Sequence, residues 1–374
     1  MNVHVIGRFP PPSDGQTLAT QRMSELVARH HHINRISTEP PPSEYVENEV
    51  TFRWRRVRHY LGMRNTIRTK LSTSPSAPVL WASISPALLG HVRDIVTVAS
   101  AFVSNQPVAG IIHRTGYDRL FRSSFTRPSA RWLARRLSAF VFLNERQSAA
   151  CASWIPEPKR FVIPNTVDRH LLFDPSEIAS KRSDRRAKSE LRLLFLSNMI
   201  PLKGYIDVLK AAAVLRMRNV RFQVDFVGRW GSDDDRRTFE RQVDALQLRQ
   251  SVHYHGGVED RAAVRTFFVH ADVFVLPTYH PTEAQPVALI EAMSAGVPII
   301  TTRQGGIPSM LSDPEAFFVS SRSPAEIADA VEQLVDADTW TTFSRSSREA
   351  FERTFSPDIV EKQWNALVER MASR

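Results

Sequence analysis

Two glutamates, Glu283 and Glu291, stand with seven residues between them in the stretch PTYHPTEAQPVALIEAMSAG, residues 277–296. The stretch begins where an apolar run, Val273-Phe274-Val275-Leu276, ends. That run reads as a buried strand. Pro286 suits the first position of a helix and Gly296 the residue just past its end, so Glu283, Ala284 and Gln285 fall in the strand-to-helix loop. Unsatisfied backbone N–H groups and the positive end of the helix dipole make such a loop a ready site for a diphosphate. Glu291 falls inside the helix among Val287, Ala288, Leu289, Ile290, Ala292 and Met293. A carboxylate in that apolar company needs hydrogen-bond donors. Two vicinal ribose hydroxyls would serve, and so would one arginine of the protein. Lys203, followed by Gly204 at the start of another helical pattern, puts a cation beside a positive helix end. A phosphate partner would explain it; a solvated surface lysine is the plainer reading.

These residues need a scaffold, and the sequence alternates strand and helix signals throughout. Strand-like pieces recur at 2–6, 79–82, 108–113, 140–143 and 160–163, with a helical pattern at 17–28. Residues 174–190 are rich in Ser, Lys, Arg and Asp and read as a linker. A second series follows, with strands at 191–196, 221–227, 252–255, 273–277 and 298–301. Its helices are placed at 205–217, 236–246, 261–270, 286–295, 324–336 and 357–371. The pattern predicts an α/β protein of two Rossmann-like, doubly wound domains facing a cleft. The expected division is 1–173, a linker at 174–190, 191–356 and a C-terminal helix at 357–374.

The order of landmarks resembles that of the family 4 retaining glycosyltransferases, the group 1 glycosyl transferases of GT-B fold, over nearly the whole chain. The resemblance rests on Glu283, Glu291 and the following Ala-Met-x-Ala-Gly-x-Pro. It is supported by Gly15, by Val162-Ile163-Pro164-Asn165-Thr166-Val167-Asp168, by Lys203-Gly204, by Gly256-Gly257-Val258 and by Gly305-Gly306-Ile307-Pro308. It implies an acceptor-binding first domain, a donor-binding second domain and a C-terminal helix that returns to the first. It implies that Glu283 contacts the donor sugar and Glu291 the ribose. Ala284, Gln285, Pro286, Val287 and Ala288 would bind phosphate and sugar, and Lys203 the diphosphate. The backbone at Val258 would meet the base, and Gly15 would let backbone approach the phosphates. His113, at a strand end, would sit near the reacting carbon. Read alone, Gly15 is an ordinary turn residue and His113 a structural histidine. One family position departs: Asn198 stands where an arginine is usual, so Arg229 or an arginine of the first domain would have to replace it.

The implied reaction is retaining transfer of a sugar from a nucleotide-diphosphate-sugar to a hydroxyl of a saccharide or lipid-linked acceptor, in cell-surface polysaccharide or glycolipid synthesis. Catalysis falls to His113, Glu283 and Lys203. No metal or other cofactor is expected. The triplet Asp233-Asp234-Asp235 reads as a helix start and the run His30-His31-His32 as a solvated helix end. A 2-epimerase or hydrolase of the same fold is the rival enzyme.

Net charge is +10, with 49 Lys and Arg against 39 Asp and Glu. Residues 1–170 carry 23 basic and 11 acidic side chains, so the excess lies entirely in the first half. Nucleic acid, an anionic membrane and a phosphorylated acceptor all suit such a half. No nucleic-acid-binding motif interleaves with the basic residues, so nucleic acid is not expected as a partner. The segment 52–71 combines Arg53, Arg55, Arg56, Arg58, Arg64, Arg68 and Lys70 with Trp54, Val57, Leu61, Ile67 and Leu71. This is the pattern of a helix lying in an anionic membrane interface, or of a surface helix with one face in the core. A lone cysteine, Cys151, and the lack of a leader or spanning run predict a cytoplasmic protein, peripheral at the inner face of the plasma membrane.

Overall fold

The computed structural model describes residues 1–11, 15–38, 49–104 and 106–373, with side chains at all of these except 49–57, 103 and 104. The chain forms two units, 1–165 with 357–374, and 166–356.

In the first unit the elements run β1 (Asn2–Gly7), α1 (Gly15–Ala28), β2 (His32–Ser37), α2 (Glu49–Ser72), β3 (Val79–Trp81) and α3 (Leu88–Val98). They continue through β4 (Val108–Ile112), α4 (Arg119–Arg122), α5 (Arg127–Arg136), β5 (Ala139–Phe142), α6 (Glu145–Ala150) and β6 (Arg160–Val162). Among the described residues the strands form one parallel sheet in the order β2-β1-β3-β4-β5-β6. Alternate strand residues feed opposite cores, as the two-residue period requires. Phe140 and Phe142 join Val79, Trp81, Val108 and Ile112 on one face, while Val141 joins Leu80, Ala109 and Ile111 on the other.

The first of these faces is covered by α2, α3 and α5. Met63, Ile67 and Leu71 of α2 are buried in its core. Of the apolar stripe expected to lie in a membrane interface, Ile67 and Leu71 are thus taken into the core, while Leu61 is exposed. Side chains of Arg53, Trp54, Arg55, Arg56 and Val57 lie outside the described residues. The strand β2 escaped the sequence reading because His32-Ile33-Asn34-Arg35 is polar and occupies the sheet edge.

The second unit runs α7 (Pro175–Ala187), β7 (Leu191–Leu196), α8 (Tyr205–Met217), β8 (Phe222–Val227), α9 (Asp233–Ala245), β9 (Val252–Tyr254) and α10 (Arg261–His270). It continues through β10 (Val273–Leu276), α11 (Val287–Ser294), β11 (Ile299–Thr301), β12 (Phe317–Phe318), α12 (Pro324–Gln333) and α13 (Ala337–Ala350). Its described strands are again all parallel, in the order β12-β11-β10-β7-β8-β9. The chain winds one way through β7, β8 and β9 and the other way through β10, β11 and β12. The reversal falls between β7 and β10, and in open α/β sheets ligands bind at the carboxyl edge of such a point.

The stretch expected as a linker is instead the helix α7. Asp174 and Glu177 form a capping box at its start, and Arg185 donates to the carbonyls of Lys188 and Val335 at its end. Its polar composition reflects a helix with only Ile178 and Arg185 buried. The final helix, α14 (Pro357–Ala372), packs Val360, Trp364, Leu367, Val368 and Met371 into the first unit, as expected of a returning C-terminal helix.

Candidate functional site

Glu283 and Lys203 come from the two loops that flank the switch point of the second sheet. Lys203 ends a single 3-10 turn after β7, and Gly204 follows with φ +82°. A side chain there would meet the Pro277 carbonyl oxygen at 2.5 Å, so only glycine lets this turn pack on the loop after β10. Tyr279 N–H then donates to the Leu202 carbonyl at 2.9 Å. Lys203 Nζ reaches Glu283 Oε2 at 2.5 Å, and the Thr278 hydroxyl lies 3.2 Å from the same oxygen. From the far side, Gly306 N–H donates to the Glu283 carbonyl at 3.0 Å. Gly305, with φ +57°, passes so close that a Cβ would sit 1.9 Å from that carbonyl oxygen. Gln304 Nε2 donates to the His280 carbonyl at 3.1 Å, and the Thr302 hydroxyl donates to the Thr278 carbonyl. Glu283 is thus held by side chain and backbone from three loops. The sequence reading includes neither Thr278 nor Gln304; Gln304 finds its partner His280 twenty-four residues away.

Helix α11 begins at Val287, with Pro286 as its cap residue rather than its first turn. Ala284, Gln285 and Pro286 are buried beside Glu283, and Val287 and Ala288 are half-buried at the helix start. The first-turn N–H groups of the helix open at this end. Gly296, with φ +58°, closes the other end, where Val297 N–H returns to the Ala292 carbonyl at 3.0 Å.

Glu291 is 2 % exposed. Its donor comes from the protein: Arg261 Nη2 meets Oε1 at 2.5 Å, and Arg261 Nε meets Asp168 Oδ2 at 2.7 Å. Burial alone therefore does not call for a ribose at Glu291. Burial works against the Arg261 charge, but the Glu291 and Asp168 carboxylates outweigh it and hold the guanidinium above its ordinary pKa. One sequence signal could have found Arg261, since it opens α10, where a cation opposes the helix dipole and needs an acidic partner.

Asn198 lies beside Arg229 in the continuing ladder, between the pairs Leu196↔Val227 and Met199↔Trp230. Arg229 is paired with Glu259 and lies over Gly257, where a Cβ would meet its Cγ at 2.2 Å. Val258, between Gly257 and Glu259, is half-buried.

The remaining expected residues belong to the first unit. His113 follows β4, and its Nε2–H donates to the Ala82 carbonyl at 2.7 Å. Gly15 opens α1 with nothing within 4 Å of a built Cβ. His30 pairs with Glu361 of α14 at 2.6 Å rather than facing solvent alone. Asp233, Asp234 and Asp235 form the first turn of α9 under a Ser232 cap. Burial pushes the Cys151 thiol up to about 12, which makes it a poor nucleophile. Among the described residues no helix is long and apolar enough to cross a membrane.

Residues 177–352, which contain all of the second unit's site residues except Asp168, match the family described as Glycosyl transferases group 1. The match covers just under half of the chain. Proteins similar to this chain include a D-inositol 3-phosphate glycosyltransferase of Arthrobacter sp. FB24, 30% identical over 150 residues, 39% of this chain and 35% of the relative. The amylovoran biosynthesis glycosyltransferase AmsK of Erwinia amylovora is 22% identical over 189 residues, 49% of this chain and 45% of that one. The matched part thus spans less than half the length of these curated relatives. Among solved structures, Anabaena HepE in complex with UDP-glucose superposes with a TM-score of 0.72 at 15% identity, covering 99% of this chain and 100% of that one. At that identity the likeness shows the fold, which is the two-domain GT-B type expected.

Proposed function

We propose that this chain is a glycosyl transferase that moves a sugar from a nucleotide-diphosphate-sugar to an acceptor hydroxyl, with retention at the anomeric carbon. The acceptor is a saccharide or lipid-linked intermediate of cell-surface polysaccharide or glycolipid synthesis, met at an anionic membrane surface. The observation that carries the donor assignment is the Lys203–Glu283 pair at the switch point, beside the start of α11. A cation and a helix N-terminus aimed at one place stabilise the negative charge that grows on a leaving diphosphate. The departing phosphate then helps to deprotonate the acceptor, and no metal takes part. Glu283, released from Lys203 as the diphosphate arrives, orients the donor sugar. Glu291, held by Arg261, takes the ribose hydroxyls, and the backbone at Val258 meets the base. Arg229, beside Asn198, supplies the second cation. For His113 and Gly15 the assignment to the donor rests on the family resemblance alone. HepE was solved with UDP-glucose, which makes uridine donors the first to try.

The experiment is proton NMR of reactions with a panel of nucleotide-sugars and saccharide acceptors in excess chelator. The reading expects a glycoside with the donor's anomeric configuration. An inverted product, an epimer or free sugar formed without acceptor, or activity that requires added magnesium or manganese would each overturn part of it.

A further inference from the structure

Helix α3 is built inside out. It buries His91, Asp94 and Thr97 along with Val98, while Leu88, Leu89 and Val92 are exposed, Leu89 to 81%. Its polar side chains are given partners inside. Asp94 accepts from Ser85 N–H at 2.6 Å and pairs with Arg93 Nη2 at 2.6 Å. The Ser129 hydroxyl donates to the Thr126 carbonyl at 2.9 Å, so it accepts from His91 Nε2–H, also at 2.9 Å. That last bond fastens α3 to α5. Within about a turn of it stand Leu88 and Val92 on one helix, and Phe125 and Trp132 beside or on the other. Phe125 is 78% exposed. An apolar group of this kind, unlike a lone exposed leucine, marks a surface that meets something.

The surrounding charge narrows what that is. Arg119, Arg122, Arg127, Arg131, Arg135 and Arg136 are all exposed, and no acidic residue occurs between 119 and 136. Asp118 is the nearest acid and is occupied by Arg122 at 3.0 Å; Asp94 is buried. Exposed leucine and phenylalanine framed by arginine, without acids, complement an anionic lipid surface, whose headgroups attract the cations and whose acyl boundary takes the apolar tips. We propose that the α3–α5 face of the first unit docks on an anionic lipid bilayer. Leu88, Leu89, Val92 and Phe125 enter the headgroup boundary, and the arginines of α5 lie against lipid phosphates. The proposal rests on the reading of a membrane-borne acceptor and places its anchor on this face rather than on α2, whose Ile67 and Leu71 are buried.

The test is sedimentation of the full chain with vesicles of phosphatidylglycerol and phosphatidylcholine, against vesicles of phosphatidylcholine alone. Uridine diphosphate binding is measured on the same samples, so that failure of docking and failure of the transferase reading are seen separately. Binding is expected to the anionic vesicles only, and to be weakened by high salt. Leu89→Glu with Phe125→Glu, and separately Arg131→Glu with Arg135→Glu, are each expected to weaken it by about tenfold or more, with nucleotide binding unchanged. All four side chains are exposed, so the variants fold. Equal binding to both vesicles, binding to neither, or full binding by the variants overturns the proposal. So does a self-associating chain that Leu89→Glu renders monomeric without any effect on vesicles, because the face then meets a second copy.

Discussion

The carboxyl edge of the second sheet and the α3–α5 face of the first unit both break ordinary patterning, in opposite senses. In the second unit, carboxylates are drawn inward and matched by cations from distant parts of the chain: Glu283 by Lys203, Glu291 by Arg261. In the first unit, leucines are turned outward while the helix that carries them buries its own aspartate, matched by the adjacent Arg93 and by the Ser85 N–H. A charge met from another element fixes the geometry of two loops at once, which suits chemistry. An apolar side chain left outside fixes nothing within the fold and is free to meet a surface. Local rules are broken at both places, and such breaks mark functional sites.

The comparison breaks first at Glu283 and Lys203. Glu283→Ala and Lys203→Ala should each lower turnover by about a hundredfold to a thousandfold, while melting temperature changes little. The double variant should lose far less than the product of the single losses, since the two side chains act as one pair. Steady-state kinetics of the three variants would show it. Additive losses would mean that the two side chains act independently and not as a pair. A smaller effect is expected at Glu291. Glu291→Gln keeps the shape while Asp168 still holds Arg261, and the donor KM should rise by about tenfold to a hundredfold. An unchanged KM would leave Glu291 as Arg261's partner and nothing more.

What was legible in the sequence follows from what is local. The alternation of strands and helices, the loop position of Glu283, the buried place of Glu291 and the Gly296 stop are all encoded within a few residues, and the structure has them. The matching cations and hydroxyls are not local. Arg261 lies thirty residues before Glu291 and Thr302 twenty-four after Thr278, and no period or propensity joins them. The helix α7 has the composition of a linker because its apolar face is nearly absent. Ile67 and Leu71 fit a membrane-facing stripe equally well in the sequence, because nothing local says which side of an amphipathic helix is already covered by the core.

Gly305→Ala probes the same region by backbone. The new Cβ would collide with the Glu283 carbonyl in a conformation that L residues rarely adopt. A loss of about 1–2 kcal/mol in stability is expected, with a drop in turnover of about tenfold as Glu283 shifts. Thermal melts with parallel assays would check it; a variant with normal stability and rate would mean the loop can yield. The smallest effect belongs to the other region. Burial, partly offset by Arg93, pushes the Asp94 carboxyl up to about 6. A carboxyl raised on folding favours the native state below its unfolded pKa of about 4, and that contribution is lost as pH rises through about 6. Relative to Asp94→Asn, the parent should therefore lose a few degrees of melting temperature, roughly 2–4 °C for each kcal/mol, between pH 4 and pH 7. A constant difference across that range would show that the Asp94 charge is fully matched.

On the proposed function, the carboxyl edge of the second sheet binds a nucleoside diphosphate through Lys203 and Glu291 without a metal. Calorimetric titration of uridine, guanosine, adenosine and cytidine diphosphates in excess chelator tests it most directly. At least one should bind the parent, and Lys203→Ala and Glu291→Gln should each weaken that binding by about tenfold or more. If none of the four binds until a divalent cation is added, or if both variants bind as tightly as the parent, the claim is contradicted.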